Sequence, residues 1–171
     1  RVFKYSSGSW TQLGSDIDGE FAGDLSGYSI DLSSDGETLA IGAPVNNSVV
    51  GQVRVFNFIN SAWSQVGSDI DGTLASGGFG CSLALSNDGL NLVVGMNSTS
   101  SAIISQVQVF EYSSTSWVQK GNSILSTQNS ENFGESVTIS GDGTLISIGA
   151  KAWANSTTYN NGRALLFCYR D

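Results

Sequence analysis

The sequence contains no histidine, and its 171 residues include only one proline, one methionine and two cysteines. Histidine is the usual general base and the commonest metal ligand, so its absence excludes Ser-His-Asp and Cys-His catalysis within this chain. No uninterrupted apolar run approaches the roughly 20 residues of a membrane-spanning helix, and Arg1 to Tyr5 show no signal-peptide pattern. These absences leave lysine and carboxylate chemistry open.

Positive charge is also scarce. Seven Lys and Arg residues stand against fifteen Asp and Glu residues, which gives a net charge of −8. This balance disfavours nucleic acid and anionic membrane surfaces as partners. Charged residues make up only 13% of the chain, so its polarity comes mainly from Ser, Thr, Asn, Gln and Gly. That mixture is common in secreted β proteins, and we expect an extracellular or cell-surface location.

The main pattern in the sequence is a unit that repeats about every 53 residues. An apolar run, an Asp-Gly turn and a second apolar run recur around Gly36, Gly89 and Gly143, which are spaced by 53 and then 54 residues. A fixed period of this size is typical of repeat architectures. Asp and Gly tolerate the positive φ angles of tight primed turns, so we predict positive φ at the three glycines in two-residue hairpin turns.

Each period divides into four candidate β-strands. In one full repeat they cover residues 79–86, 92–95, 107–112 and 116–120, which are rich in β-branched and aromatic side chains. Apolar residues on both faces of the third strand indicate sheets that are buried on both sides. Four-stranded antiparallel sheets repeated with this period describe the blades of a β-propeller, and a linear β-solenoid is the alternative.

We predict one all-β, propeller-like array over residues 1–171, divided at the repeat boundaries. Residues 1–26 are then the end of one blade, 27–78 and 79–132 are blades, and 133–171 are an incomplete blade. The strand count does not fill a whole number of four-stranded blades. We therefore expect an incomplete ring or part of a longer chain, with the strands at both ends covered by further blades or by neighbouring copies.

Two short motifs recur at fixed places in the units. First strands begin with Phe79-Gly80 and Phe133-Gly134, and one second strand is followed by Gly42-Ala43-Pro44. These motifs resemble the FG-GAP repeat of integrin α-chain β-propellers, and the run from Trp10 to Pro44 resembles degenerate FG-GAP-like repeats of secreted proteins in marine microbes and algae. The resemblance covers essentially the whole chain and implies a full ring of about seven blades. The units depart from the motifs at Ser26-Gly27, Gly95-Met96-Asn97 and Gly149-Ala150-Lys151.

The same resemblance implies a calcium-binding loop between the first and second strands. Here that loop is reduced to Ser33-Ser34-Asp35-Gly36 and its equivalents, and one Asp cannot supply the about six to eight oxygens that calcium prefers. We predict no cofactor, and calcium is the alternative. An acidic group in the first connector between units indicates Asx turns with Ile17 and Ile70 packed inward. The alternative there is a cation site, with candidate ligands Asp16, Asp18, Glu20 and Asp24.

The loop between the second and third strands contains an N-glycosylation acceptor pattern in every unit. The pattern begins at Asn46, Asn97 and Asn155. Because it falls in the same loop each time, glycans there would lie along one rim, away from the packed faces. We expect these residues to be exposed and at least one to carry a glycan in a protein of eukaryotic origin. The alternative is that polar loops simply collect Asn and Ser.

Aromatic residues fall into two groups, inside and outside the repeat register. Trp10, Trp63 and Trp117 recur at the start of the fourth strand, where packing at the edge of each blade is favoured over stacking on a sugar. Trp153 and Tyr159 lie outside the register, so they are candidate contacts for a ligand.

The two cysteines, Cys81 and Cys168, lie on different strands of different units. An inner and an outer strand of neighbouring units are too far apart for a disulfide to be expected. We predict two separate thiols, with pairing to other parts of the protein as the alternative in an oxidising compartment.

The candidate functions follow from the absence of a catalytic set. Asp31 is the only charged residue within the core positions of a first strand, and its equivalents are Ala84 and Thr138, so no acid–base pair is formed by the repeat. We predict a non-enzymatic structural or adhesive extracellular glycoprotein that binds other proteins or copies of itself. The alternative is a carbohydrate-binding, lectin-like propeller with glycans as partners; the fold is compatible with either.

Overall fold

The computed structural model describes residues 1–98, 103–129, 131–154 and 161–168, without the side chains of residues 47 and 48. Within these ranges the chain forms four antiparallel β-sheets and a single one-turn helix, so the predicted all-β class is confirmed. None of the described residues belongs to a helix that is long and apolar enough to cross a membrane.

An N-terminal hairpin forms the smallest sheet, which we call the hairpin sheet. Its strands are β1 (Phe3–Ser6) and β2 (Ser9–Gln12). The next sheet, the first unit, has four strands in sequence order and a short fifth strand beside the third. Its strands are β3 (Ser29–Leu32), β4 (Thr38–Ala43), β5 (Gln52–Ile59), β6 (Ala62–Gln65) and β7 (Ile70–Asp71). The helix α1 (Asn46–Val49) lies in the loop between β4 and β5.

The second unit repeats this arrangement strand for strand. Its strands are β8 (Phe79–Leu85), β9 (Asn91–Met96), β10 (Gln106–Ser113), β11 (Ser116–Gln119) and β12 (Ile124–Leu125). The third unit has three strands among the described residues. They are β13 (Phe133–Ile139), β14 (Leu145–Ala150) and β15 (Arg163–Cys168).

The core lies between successive sheets, because strands with apolar residues on both faces bury both sides. One apolar cluster joins Val53 and Val55 of the first unit to Leu83 and Leu92 of the second. Another cluster joins the second unit to Phe133 and its neighbours in the third. The sheets are therefore stacked face to face in chain order, with the first strands β3, β8 and β13 in contact with the preceding or following unit. This arrangement of four-stranded antiparallel sheets is that of propeller-type blades.

The Phe-Gly motif produces a bulge at the start of two first strands. Phe79 and Phe133 are almost completely buried, and the pairing register shifts immediately after each of them. Gly80 and Gly134 adopt positive φ angles of 86° and 78° in these bulges. Glycine takes this conformation without a steric penalty, which explains why the motif needs it. The first unit has Ser26 in place of Phe, and β3 is correspondingly short.

The turns between first and second strands agree with the prediction only in part. Gly36, Gly89 and Gly143 have φ angles of 74°, 70° and 73°, so positive φ is confirmed. The predicted turn length of two residues is wrong. The Ser33 amide donates to the Thr38 carbonyl, and this bond closes a connection of four residues. The connection is organised by a carboxylate, since Asp35 Oδ1 accepts bonds from the Ser33 hydroxyl at 2.6 Å and the Glu37 amide at 2.9 Å.

Candidate functional site

The most regular feature of the molecule is the junction between consecutive units, whose serine–glycine contact is made twice among the described residues. On its inner side a serine hydroxyl donates to a glycine carbonyl of the next unit: Ser29 to Gly80 at 2.7 Å, and Ser82 to Gly134 at 2.6 Å. Both lengths are typical of a hydrogen bond from a hydroxyl donor. The junction therefore fixes the first strand of each unit against the preceding unit through its backbone.

A glycine on the second strand makes this close approach sterically allowed. A Cβ atom added to Gly42 would lie 2.2 Å from the Gly80 carbonyl oxygen, and one added to Gly95 would lie 2.1 Å from that of Gly134. Neither distance leaves room for a side chain. The repeated Gly on β4 and β9 is thus required by the carbonyl of the neighbouring unit and by the serine hydroxyl of the same unit that binds this carbonyl, which would lie 2.3 Å from the added Cβ.

Tryptophan makes a second kind of contact, on the outer strands, which joins the first unit to the hairpin sheet and the second unit to the first. The Trp63 indole N–H donates to the Leu13 carbonyl at 3.0 Å, and the Trp117 indole N–H donates to the Val66 carbonyl at 3.1 Å. Each ring also lies directly over a glycine of the preceding connector, Gly14 or Gly67. Trp63 and Trp117 are therefore packing residues, as predicted, and hold adjacent outer strands together.

The turns add a third set of contacts. The Ser34 amide donates to the Asn87 carbonyl at 3.0 Å, and the Asn87 amide donates to the Gly141 carbonyl at 2.9 Å. Asp31 joins the first and second units as well, because its Oδ2 accepts the Leu85 amide at 2.8 Å. Asp31, the one charged residue of β3, is thus engaged in structure.

At the hairpin-sheet end of the molecule one half of this junction is open. Ile30 and Leu32 are 65% and 43% exposed, whereas their equivalents Leu83 and Leu85 are 8% and 7% exposed. A Cβ on Gly27 would meet no described atom within 4 Å, unlike one on its equivalent Gly80. The open half forms a groove of about 560 Å³ between β1 and β3, which we call the β3 groove.

At the third unit the opposite half of the junction is open. A Cβ on Gly149 would meet only atoms of Ser136, at 3.5 Å or more, among the described residues. Gly149 and Ser136 are the equivalents of the junction residues of the first two units, and we call their surface the β14 face. A Cβ added to Gly121, the equivalent of Gly14 and Gly67, would likewise meet no described atom within 4 Å. Trp10, the equivalent of the two junction tryptophans, is 68% exposed.

Charged groups border the β14 face. Lys151 and Glu135 form an ion pair at its edge, and the hydrogen bond from Lys151 is the main reason that the pKa of Glu135 is lowered. Behind them, Glu131 is almost fully buried, and its Oε1 accepts the Ser126 hydroxyl at 2.6 Å and the Thr127 amide at 3.0 Å. These carboxylates hold the loop before β13 in place.

The three predicted glycosylation residues differ in their surroundings. Asn46 is only 5% exposed, and its side-chain nitrogen donates to Asp24 Oδ2 at 3.0 Å, so the expectation that it is exposed is wrong. The buried Asp24 carboxylate needs this donor, which draws the Asn46 amide inward. Asn97 is half-buried, and Asn155 lies outside the described residues. Glycosylation at these positions remains a prediction, which peptide mass mapping of native material would test.

The acidic residues of the first connector do not converge. Asp16 is tied to Arg1 and Gln12, each at 2.8 Å, and these hydrogen bonds, led by the one from Gln12, lower its pKa. Asp24 is held by the Asn46 amide. Among the residues that the structure describes, no three acidic or sulfur side chains are grouped so that they could hold a metal ion. The candidate ligands Asp18 and Glu20 are exposed. The predicted inward packing of Ile17 and Ile70 is confirmed.

Of the two candidate ligand contacts, Trp153 is described and Tyr159 lies outside the described residues. Trp153 packs against the apolar cluster of the second and third units. The Arg163 guanidinium also lies over its ring, with 4.9 Å between the guanidinium carbon and the ring centroid. A cation over one face and a core beside the ring leave little room for a sugar to stack.

The cysteines are not joined to each other. Cys81 lies in the bulge of β8, where burial raises the pKa of its thiol. Cys168 is exposed at the end of β15. Their separation agrees with the prediction of two distinct thiols.

The sequence contains a further signal for the junction, outside the motifs described above. Ser29, Ser82 and Ser136 recur in register, and so do the glycines at 42, 95 and 149. A serine and a glycine kept at one phase of a repeat indicate a close backbone contact at that phase. What the sequence could not show is that this contact is made between units.

No protein-family model matches the sequence, and no curated protein sequence matches it. Among solved structures, the chain is similar to TolB from Acinetobacter baumannii, with a TM-score of 0.48 and 15% identity over 86% of this chain and 31% of that chain. It is also similar to a candidate 6-phosphogluconolactonase from Bacteroides uniformis, with a TM-score of 0.47 and 17% identity over 81% of this chain and 39% of that chain. The chain spans less than half the length of each of these proteins.

Proposed function

We propose that this chain is a non-enzymatic structural or adhesive glycoprotein of the extracellular space or cell surface, built of FG-GAP-like blades, that acts by binding other proteins or copies of itself. The single observation that carries the proposal is the exposure of a junction surface. Ile30 and Leu32 lie open in the β3 groove, while the same positions in the second unit are buried against a neighbouring sheet. A contiguous exposed apolar surface in a soluble protein marks an interaction site.

The polar residues of the described sheets support a structural role. Asp31 accepts backbone amides, Asp35 and Asp142 organise turns, and Ser29 and Ser82 bind carbonyls of the next unit. Each of these side chains makes hydrogen bonds that hold a turn or join two units. The chemistry of these residues serves contact between units.

The FG-GAP-like assignment is supported by what the motif does here. Phe79 and Phe133 are buried, and the glycines that follow present their carbonyls to the preceding unit. The motif thus acts as the joining element of the repeat.

A bead-adhesion experiment tests this function. Beads coated with the chain are mixed with beads coated with the same chain, with fibronectin, with collagen, or with a mixture of mannose and galactose polymers. We expect adhesion to at least one protein coating, weakened by Ile30→Lys in the β3 groove and unchanged by Leu90→Lys, which alters an exposed turn residue outside it.

Adhesion to the sugar coating alone would overturn the proposal in favour of the carbohydrate-binding alternative. Absence of adhesion to every coating would also overturn it.

A further inference from the structure

The two open surfaces are the two halves of one junction. The β3 groove presents Gly27, which is the equivalent of Gly80 and Gly134. The carbonyls of Gly80 and Gly134 each accept a hydrogen bond from a serine of the preceding unit. The β14 face presents Ser136 and Gly149, the equivalents of the serines and glycines that contact those residues. The internal junctions therefore show which surface each open half fits.

We propose that copies of this chain join head to tail, with the β13–β14 hairpin of one copy filling the β3 groove of the next. This inference rests on the proposed function and names a second copy of the chain as the partner. In the joined state the Ser136 hydroxyl donates to the Gly27 carbonyl, and Gly149 lies against the Gly27 backbone. The Ile30 and Leu32 side chains become covered, as Leu83 and Leu85 are within each copy.

The sheet shared by two copies has a single position for a third strand, but each copy has a strand that could occupy it. β1 and β15 are equivalent strands, since both correspond to β5 and β10 in the repeat. β1 takes the place, because it is joined to β2, which supplies the fourth strand that the third unit does not have among its described residues. The resulting order, β13-β14-β1-β2, matches that of the two complete units.

The exchange also accounts for the two remaining open positions. Strand β2 carries Trp10, which is 68% exposed, and a Cβ added to Gly121 would meet no atom of the described part of the chain within 4 Å. In the joined state Trp10 lies over Gly121 of the preceding copy, and its indole N–H donates to the Lys120 carbonyl. Trp63 makes these two contacts with Gly14 and the Leu13 carbonyl, and Trp117 makes them with Gly67 and the Val66 carbonyl.

Gly149→Ala provides a sharp test, because it discriminates the single chain from the joined state. Within one copy the added methyl group fits, with its nearest described atom at 3.5 Å. In the joined state this methyl group would clash with the Gly27 carbonyl oxygen of the next copy. The equivalent distances, from an added Cβ to the carbonyl oxygen, are 2.2 Å at Gly42 and 2.1 Å at Gly95. We expect sedimentation velocity to show wild-type mass rising with concentration above 17.9 kDa, and Gly149→Ala to remain at that mass with an unchanged unfolding midpoint.

A mixing experiment separates this geometry from non-specific apolar association. Ile30→Lys blocks the groove but keeps the β14 face, whereas Gly149→Ala blocks the face but keeps the groove. Each variant alone is expected to stay monomeric, and an equimolar mixture is expected to form a 1:1 dimer and nothing larger. In that dimer the β15 amides of the Ile30→Lys copy should lose protection from hydrogen exchange.

Association of Gly149→Ala at the wild-type level, a monomeric mixture, or a wild-type chain that stays monomeric would each overturn the head-to-tail joint. Unchanged protection of β15 in the dimer would overturn the strand exchange. Continued bead adhesion to fibronectin or collagen under those outcomes would leave the proposed adhesive function in place, so the two failures are distinguishable.

Discussion

At the scale of single residues, glycine determines how closely the units approach. Gly42 and Gly95 are not in turns and have no need of an unusual φ angle, yet each faces a carbonyl at a distance that no side chain could accept. A Cβ added to the equivalent Gly149 would make only ordinary contacts with Ser136, at 3.5 Å or more, among the residues that the structure describes. The same residue type at the same phase of the repeat thus has different steric demands, depending on whether a neighbouring unit is present.

We predict that Gly42→Ala and Gly95→Ala each lower the free energy of unfolding by about 3 kcal/mol or more, because the methyl group forces the neighbouring backbone to move. Gly149→Ala is the matched control and should change it by less than about 0.5 kcal/mol in dilute solution, as surface substitutions do. Urea unfolding of the three variants measures the difference. Equal effects at all three positions would contradict the described junction.

The turn aspartates make stability depend on pH. The hydrogen bonds from Ser33 and Ser140 are the main cause of the lowered pKa values of Asp35 and Asp142. A carboxyl group whose folded pKa lies below its unfolded value of about 3.8 stabilises the fold above that pH, and this contribution is lost as the pH falls through the folded pKa.

We therefore predict that Asp142→Asn destabilises the chain near neutral pH and has a smaller effect in strong acid, where the wild-type carboxyl is also uncharged. Chemical unfolding of both proteins at several pH values between neutrality and strong acid would show the two stabilities converging. Parallel curves would mean that the charge of Asp142 does not contribute to the turn.

At the scale of elements, the fourth strand pairs with the third strand of its own sheet and reaches the preceding connector through its tryptophan. β6 and β11 have largely exposed residues, and each contributes one ring that reaches the preceding connector. β2 carries the same residue without a described connector to bind. The three strands therefore form a series in which one member lacks its partner.

We predict that Trp63→Phe lowers the free energy of unfolding by about 1 kcal/mol or more, because the Leu13 carbonyl loses its donor and the smaller ring packs less well. Trp10→Phe is the control and should have little effect on the isolated chain, since Trp10 is 68% exposed. Thermal unfolding followed by circular dichroism compares the two. A larger loss for Trp10→Phe would contradict the assignment of the outer contacts.

Long strands with a clear pattern were predictable from the sequence, and very short ones were not. The run around Val53 to Phe58 shows its apolar faces directly, and β5 covers it. β7 and β12 contain two residues each, too few to show any alternation. The turn around Asp35 was predicted with the right sign of φ at Gly36 but the wrong length, because the carboxylate that reorganises the turn acts through side-chain bonds.

The candidate sites were harder to predict, because burial and partners depend on distant segments. The acceptor pattern at Asn46 describes a polar loop correctly, but the amide is drawn inward by Asp24, which precedes it by 22 residues. Trp153 falls outside the repeat register, yet Arg163 of a later strand covers its ring. Local patterns carry no information about such contacts.

At the scale of the whole molecule, the main contacts between sheets run between consecutive units. β8 contacts β3 and β4 on one side and β13 on the other. Stability in such an array is approximately a sum of the contributions of each unit and of its junctions with nearest neighbours. The first and third units each take part in one serine–glycine junction among the described residues, whereas the second unit takes part in two, so we expect the first and third units to open before the second.

This series of junctions gives the molecule a defined mechanical response. When the two ends of the chain are pulled apart, all units in the series bear the same tension, and the unit with the weakest junction yields first. Releasing one period of 53 residues frees about 180 Å of extended chain. Force spectroscopy of tandem copies should then record a sawtooth with steps of about that length, less the folded width of a unit. A protein with this response would absorb extension in steps, as an elastic link between two anchored surfaces does.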